Sequence, residues 1–204
     1  MNKPNLRDMK REATANALAD AAFELALEKG LDGFVVEDIV QRAGYSRRTF
    51  ANHYSCKEEA VATAAFIFKG ADEVTDWING LTEDLSPLDS LYQLMKLQLT
   101  AEHIGKLSQL VSLAKQSPTL EPYILSALHR LLITAQDTIS KLSRGRYPKQ
   151  YTHLLVGAVY GAMLPMLDGS LNVLLPGQSE AEAPEAVTFD HYLDTMFGYL
   201  RNGF

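Results

Sequence analysis

Apolar residues recur at steps of three and four along most of this chain, and nowhere do they alternate with polar ones for long. Ala15, Leu18, Ala22 and Leu25 make the first stripe, which stops at Gly30, a natural helix end. Val36, Ile39, Val40 and Ala43 share a face of a second, shorter segment that closes at Gly44. A third runs over 46–53 with Ser46 as its N-cap. A longer helix is expected over 57–79, with Glu58 and Glu59 in its first turn at the positive end of the helix dipole. At about 1.5 Å per residue such a rod is roughly 35 Å long, enough to join two domains.

After a loop at 80–87, Ser86 and Pro87 open a helical pattern that is expected to break near Gly105 and end around 117–118. Over 120–142, Ile124, Leu128, Leu131, Ala135, Ile139 and Leu142 trace one stripe. The basic turn SRGRYP follows, then an apolar helical segment over 149–175, a PGQSEAEAPEA loop and a last helix over 189–201. No internal repeat is present, and the pattern predicts an all-α protein.

A length of 204 residues with 47% hydrophobic and 22% charged positions suits a soluble globular protein with ample core. The longest near-continuous apolar run, 154–167, contains Pro165 and falls short of the roughly 18 residues a membrane span needs. The N-terminus lacks the apolar core of a signal peptide, and a single cysteine excludes an internal disulfide. From these features a soluble, cytoplasmic protein without membrane association is expected. A formal net charge of −6 gives no global attraction to nucleic acid, so any such role must rest on a local patch.

That patch lies in AGYSRRTFANHYSCKEEAV, residues 43–61. Two short helical segments joined at Gly44 have the layout of a helix-turn-helix, in which the second helix reads the major groove. It begins Ser-Arg-Arg-Thr, and arginine bonds guanine bidentately there. His53, Tyr54 and Lys57 follow, suited to gripping the phosphate backbone. Read alone, an Arg-Arg pair is more often a solvated helix face.

The run VEDIVQRAGYSRRTFANHYSCKEEAV, preceded by ATANALADAAFELALEKGLDGF, resembles the TetR family of transcriptional regulators. The match falls on Glu37, Asp38, Ile39, Ala43, Gly44, Ser46, Thr49, Phe50, Lys57, Glu58 and Glu59 and covers roughly the first 60 residues. It implies a three-helix helix-turn-helix DNA-binding domain, 1–56, followed by a larger helical ligand-binding and dimerisation domain, 57–204. The DNA-binding set is then Tyr45, Ser46, Arg47, Arg48, Thr49, Asn52, His53, Tyr54 and Lys57. Three positions depart from the family. Val35 stands where a capping threonine is common, Ala51 replaces an aromatic of the recognition helix, and Cys56 replaces a serine or asparagine at a helix start. Residues 1–60 hold nine basic and ten acidic side chains. DNA affinity therefore requires Lys3, Arg7, Lys10, Arg11, Arg42, Arg47, Arg48 and Lys57 to gather on one face.

The resemblance further implies a homodimer on a palindromic double-stranded operator, released by a small-molecule effector. The expected dimer interface is Leu154, Gly157, Ala158, Gly161, Phe197 and Leu200, where small residues let helices approach closely. The expected ligand-binding set is Phe66, Trp77, Tyr92, Met95, His103, Tyr123 and His129, an aromatic and Met-rich group suited to an uncharged, largely apolar ligand. Alternatives are a regulator of the same fold controlled by a protein partner or by oxidation of Cys56, and a ligand carrier that has lost DNA binding. No enzyme is indicated. The five histidines lie far apart, no HExxH, GxSxG, P-loop or GxGxxG is present, and no catalytic residue, metal or cofactor is expected.

Overall fold

The computed structural model describes residues 6–68, 77, 80, 85–179, 181 and 185–203. Its helices are α1 (Leu6–Lys29), α2 (Val36–Ala43), α3 (Arg47–Ala51), α4 (Lys57–Ala64), α5 (Pro87–Gln98), α6 (Ala101–Gln116), α7 (Glu121–Leu142), α8 (Lys149–Asp168) and α9 (Phe189–Asn202). Tight 3-10 turns lie at Leu31–Gly33 and Pro118–Leu120. None of the described helices is long and apolar enough to cross a membrane.

The chain groups into two units that do not follow a linear split at residue 56. The first takes the chain to residue 67 together with 109–128, and the second takes 68–108 and 129–204. In the first, α1 buries Leu18, Ala19, Ala21, Ala22, Phe23, Leu25 and Ala26, and α4 buries Ala60, Val61, Ala62 and Ala64. Alanines on both sides let the two helix backbones lie close, while Leu18, Leu25 and Val61 fill the remaining space. The 3-10 turn at Pro118–Leu120 also packs on α4, with Leu120 fully buried.

Helix ends follow local chemistry. Val35 has no acceptor with which to cap α2, so the Asp38 carboxylate reaches back to the Val35 N–H at 2.9 Å, half of a capping box. Gly44 ends α2 in the left-handed region (φ 73°), and the N–H of Tyr45 bonds the Val40 carbonyl at 2.9 Å. Only glycine takes that conformation without strain. The helix expected over 57–79 is not one rod. It stops at Ala64, where the Phe66 N–H turns back to the Thr63 carbonyl at 2.9 Å in a tightened last turn. Of the remainder, 69–76 and 78–79 lie outside the described residues.

In the second unit Leu91, Ile104, Ile139, Val156, Val159, Met163, Leu193 and Phe197 meet in one core drawn from α5 to α9. The break expected near Gly105 falls earlier. Leu99 leaves the helical conformation (ψ 63°), and the Thr100 hydroxyl oxygen accepts the His103 N–H at 3.3 Å to start α6, so Gly105 sits inside a helix. The apolar segment expected to be helical to 175 stops at Asp168. There Gly169 turns left-handed (φ 82°) and the Asp168 carboxylate takes the Ser170 N–H at 2.8 Å. Beyond it Val173–Leu174 pairs in parallel with Val187–Thr188, a two-residue ladder that closes the Pro/Gly/Glu loop.

Candidate nucleic-acid interface

Ser46 builds the start of α3. Its hydroxyl oxygen accepts the Thr49 N–H at 3.1 Å and lies 2.8 Å from the Thr49 hydroxyl. The helix is five residues long and ends at Ala51, so it is shorter than the 46–53 expected. The N–H groups of His53 and Tyr54 both turn back to the Phe50 carbonyl at 2.9 Å. Phe50 and Tyr54 point inward, with ring centroids 5.8 Å apart. Packing them leaves Tyr45, Ser46, Arg47, Arg48, Ala51 and Asn52 exposed, with Thr49 and His53 half-buried beside them. One short face thus carries hydroxyls, guanidiniums and an amide, the donors and acceptors that read base edges.

Two expected phosphate grips are corrected. Tyr54 is buried, and its hydroxyl donates to the Ala15 carbonyl at 3.0 Å, tying the reading segment to α1. The Lys57 ammonium donates to the Leu31 and Phe34 carbonyls at 2.6 and 2.9 Å and sits 5.0 Å from the centroid of the Phe34 ring. Both polar groups are taken up by the protein's own backbone, so both residues support α3 from behind. Lys57→Met keeps the apolar stem and strips two carbonyls of their donor. A loss of about 1–3 kcal/mol in urea unfolding is expected. The salt slope of DNA binding should stay unchanged, whereas removing a true phosphate contact lowers it by about 0.9.

The gathering of charge is partial. Arg42 is clamped by Glu28 through two bonds of 2.7 and 2.6 Å, with Glu24 at 3.7 Å. That clamp holds the Glu28 carboxyl below its ordinary value and raises Arg42. Arg47 pairs with Glu37 at 2.6 Å. Both members are largely exposed, and such pairs are worth about 0–1 kcal/mol, little enough to yield to a phosphate or a base. Arg48 has no ionic partner among the described residues. Lys3 lies outside them.

What the site set omitted is the flank. An open groove of about 570 Å³ is lined by Arg7, Asp8, Lys10, Arg11, Thr14, Thr49, Asn52 and His53. It joins the first turns of α1 to the exposed side of α3. Three cations against one carboxylate, with hydroxyl, amide and imidazole groups between, match the chemistry that phosphate oxygens take. The signal was legible as Arg7, Lys10, Arg11 and Thr14 at helical spacing.

The expected ligand-binding positions fall in both units. In the first unit Phe66 is half-buried, and the Tyr123 hydroxyl is hydrogen-bonded with Cys56, which raises its pKa. Cys56 is the N-cap of α4, its sulfur accepting the Glu59 N–H at 3.4 Å, as a substituted capping residue would. In the second unit Trp77 packs on the core, and Met95 belongs to it. The Tyr92 hydroxyl donates to Asp194 at 2.5 Å. His129 is exposed, which removes it from a closed pocket. His103 is buried against the Phe68 ring.

Of the expected interface, Leu154 is 70% exposed and shares one open face of α8 with Gly157, Ala158 and Gly161. Phe197 is corrected: it is 1% exposed and belongs to the core of its own unit, with half-buried Leu200 packed against that core.

Residues 18–64 match the family model described as "Bacterial regulatory proteins, tetR family". The chain is 39% identical over 57 residues to the uncharacterized HTH-type transcriptional regulator YwcC of Bacillus subtilis, a stretch covering 28% of this chain and about a quarter (26%) of that relative. Among solved structures, a candidate TetR-family transcriptional regulator from Mesorhizobium loti is 18% identical, covering 92% of this chain and 95% of the other with a TM-score of 0.48. A candidate fatty acid metabolism regulator from Clostridium perfringens is 16% identical, covering 92% and 98% with a TM-score of 0.45. With its turn at Gly44, its Ser46 cap and its exposed arginines, the segment from 18 to 64 is a helix-turn-helix of the tetR family of bacterial regulatory proteins.

Proposed function

We propose that this chain is a sequence-specific DNA-binding transcriptional regulator that works as a homodimer on a palindromic operator and is released by a small, largely apolar effector. The observation that carries this reading is the exposed side of α3, with Arg48 unpaired among the described residues and a basic groove at its edge. The reading set is Tyr45, Ser46, Arg47, Arg48, Thr49, Asn52 and His53, with Arg7, Lys10 and Arg11 as phosphate contacts.

The exposed face of α8 supports dimerisation. Tyr151, Leu154, Gly157, Ala158, Gly161 and Leu164 recur at steps of three and four and are all exposed. An apolar strip of this kind on a surface marks a partner, and its small residues let a second helix approach closely. A dimer presents two copies of α3, which fit half-sites about 34 Å apart or a multiple of it. An effector releases DNA only by binding better to a conformation that misfits the operator, and a coupling of about 1–3 kcal/mol shifts occupancy roughly 5–150-fold. Helices α6 and α7 suit that coupling because each supplies residues to both units.

Leu154→Glu tests the dimer. The site is exposed in the single chain, so unfolding at a concentration where both proteins are monomeric should change by no more than about 0.5 kcal/mol. Sedimentation should nevertheless show a monomer, with palindromic duplex binding weakened at least about tenfold and single half-site binding retained. A variant that sediments as a dimer would place the seam elsewhere.

A further inference from the structure

His103 is the buried titratable group that the DNA-binding reading leaves unused. It is the third residue of α6, 7% exposed, and its ring stacks on Phe68 with centroids 4.3 Å apart and planes at 29°. Its Nε2 has no hydrogen-bond partner among the described residues. A buried polar atom left in this way is costly, and native structures rarely keep one without a use.

We propose that Nε2 of His103 is the polar anchor of a ligand site in the second unit, and that its ligand is an uncharged molecule carrying a hydroxyl group on an apolar body. The inference rests on the effector reading above and deepens it.

The ligand class follows from the charge the imidazole can hold. Burial, the nearby Lys106 ammonium and the positive end of α6 all oppose the imidazolium, and Glu102 opposes them only weakly. The pKa is pushed down to about 4, so the ring is neutral in the physiological range. A carboxylate buried here would exchange its hydration for the single N–H of a neutral ring, a desolvation cost that one such bond does not offset. A cationic ligand would meet Lys106 one turn further along α6. A hydrocarbon would leave Nε2 as it stands. In a neutral imidazole Nε2 is a donor in one tautomer and an acceptor in the other. A hydroxyl serves either, and the Phe68 face suits the apolar body beside it.

The test uses the protein labelled with ¹⁵N-histidine and two probes that differ by one hydroxyl, phenol and benzene, followed by long-range ¹H–¹⁵N spectra. His103→Gln assigns the resonance. Phenol should move the His103 Nε2 resonance and bind roughly two- to tenfold more tightly than benzene, the range expected for one added hydrogen bond. His103→Phe should erase that preference, and His103→Gln, which keeps a donor and an acceptor, should retain part of it. Should His103→Phe fail to fold, the wild-type shift and the Gln variant decide. An Nε2 resonance that phenol does not move, or a preference that survives in His103→Phe, overturns the proposal and leaves the nitrogen to a bound water. No DNA enters this experiment, so its failure leaves the DNA-binding reading standing. Loss of that reading, shown by an inert α3, would not move the His103 resonance.

Discussion

Phe197→Ala is expected to cost about 3–5 kcal/mol of stability, the largest effect of any single change considered for this chain. Phe197 is 1% exposed and meets the Tyr92 ring edge-on, with centroids 5.0 Å apart and planes at 70°. An aromatic pair of that geometry adds about 0.5–1.5 kcal/mol beyond the area it buries. Its surroundings include Leu193, Val156 and Val159, all fully buried, so the packing cannot collapse around a missing ring without moving several backbones at once. The vacated space therefore persists as a cavity. Urea unfolding followed by near-ultraviolet dichroism measures the loss, and repeating it at tenfold different protein concentrations separates two roles. A core residue lowers stability equally at both concentrations, whereas an interface residue gives a loss that shrinks on dilution as the dimer dissociates. A loss that shrinks on dilution would return Phe197 to the interface, and one under about 1 kcal/mol at both concentrations would remove it from the core.

Arg48→Ala is expected to weaken binding to the preferred duplex by about 5–150-fold, the worth of one bidentate base contact. Arg47→Ala should cost less, because Arg47 must first leave Glu37 at 2.6 Å whereas Arg48 has no carboxylate to give up among the described residues. Fluorescence anisotropy on a duplex selected from a random pool reads both variants at one fixed salt concentration. The distinguishing measurement is the comparison with unrelated DNA. A base contact costs specific affinity and leaves non-specific affinity almost intact. A phosphate contact weakens both and lowers the salt slope by about 0.9. Wild-type affinity in Arg48→Ala would mean that α3 does not read the groove.

Much of the fold was open to sequence reasoning because it depends on neighbours along the chain. Gly30 and Gly44 end helices, Ser46 and Ser86 cap them, and Pro87 begins one, all through contacts within four residues. Cys56 was legible as a capping substitute for the same reason. Periodicity also placed α7 and α9 to within a residue or two. Ends without such a signal were misplaced. Nothing in the apolar run from Ala62 to Phe68 announces the stop at Ala64, and the capping role of Thr100 was hidden behind the more conspicuous Gly105.

Sequence alone thus determined the helical class, the turn and cap chemistry of the reading head, and which residue types could meet DNA. Tertiary structure decided which of them are free to do so. Tyr54 is spent on Ala15, Lys57 on Leu31 and Phe34, and Arg42 on Glu28, partners 39, 26, 23 and 14 residues away. It also turned Phe197 inward while leaving Leu154 in water, although both are apolar positions on amphipathic helices. The physical reason is range. Caps and periodicity act over one or two turns of backbone, whereas the pairing of a charge or the burial of a ring depends on which distant segment folds against it.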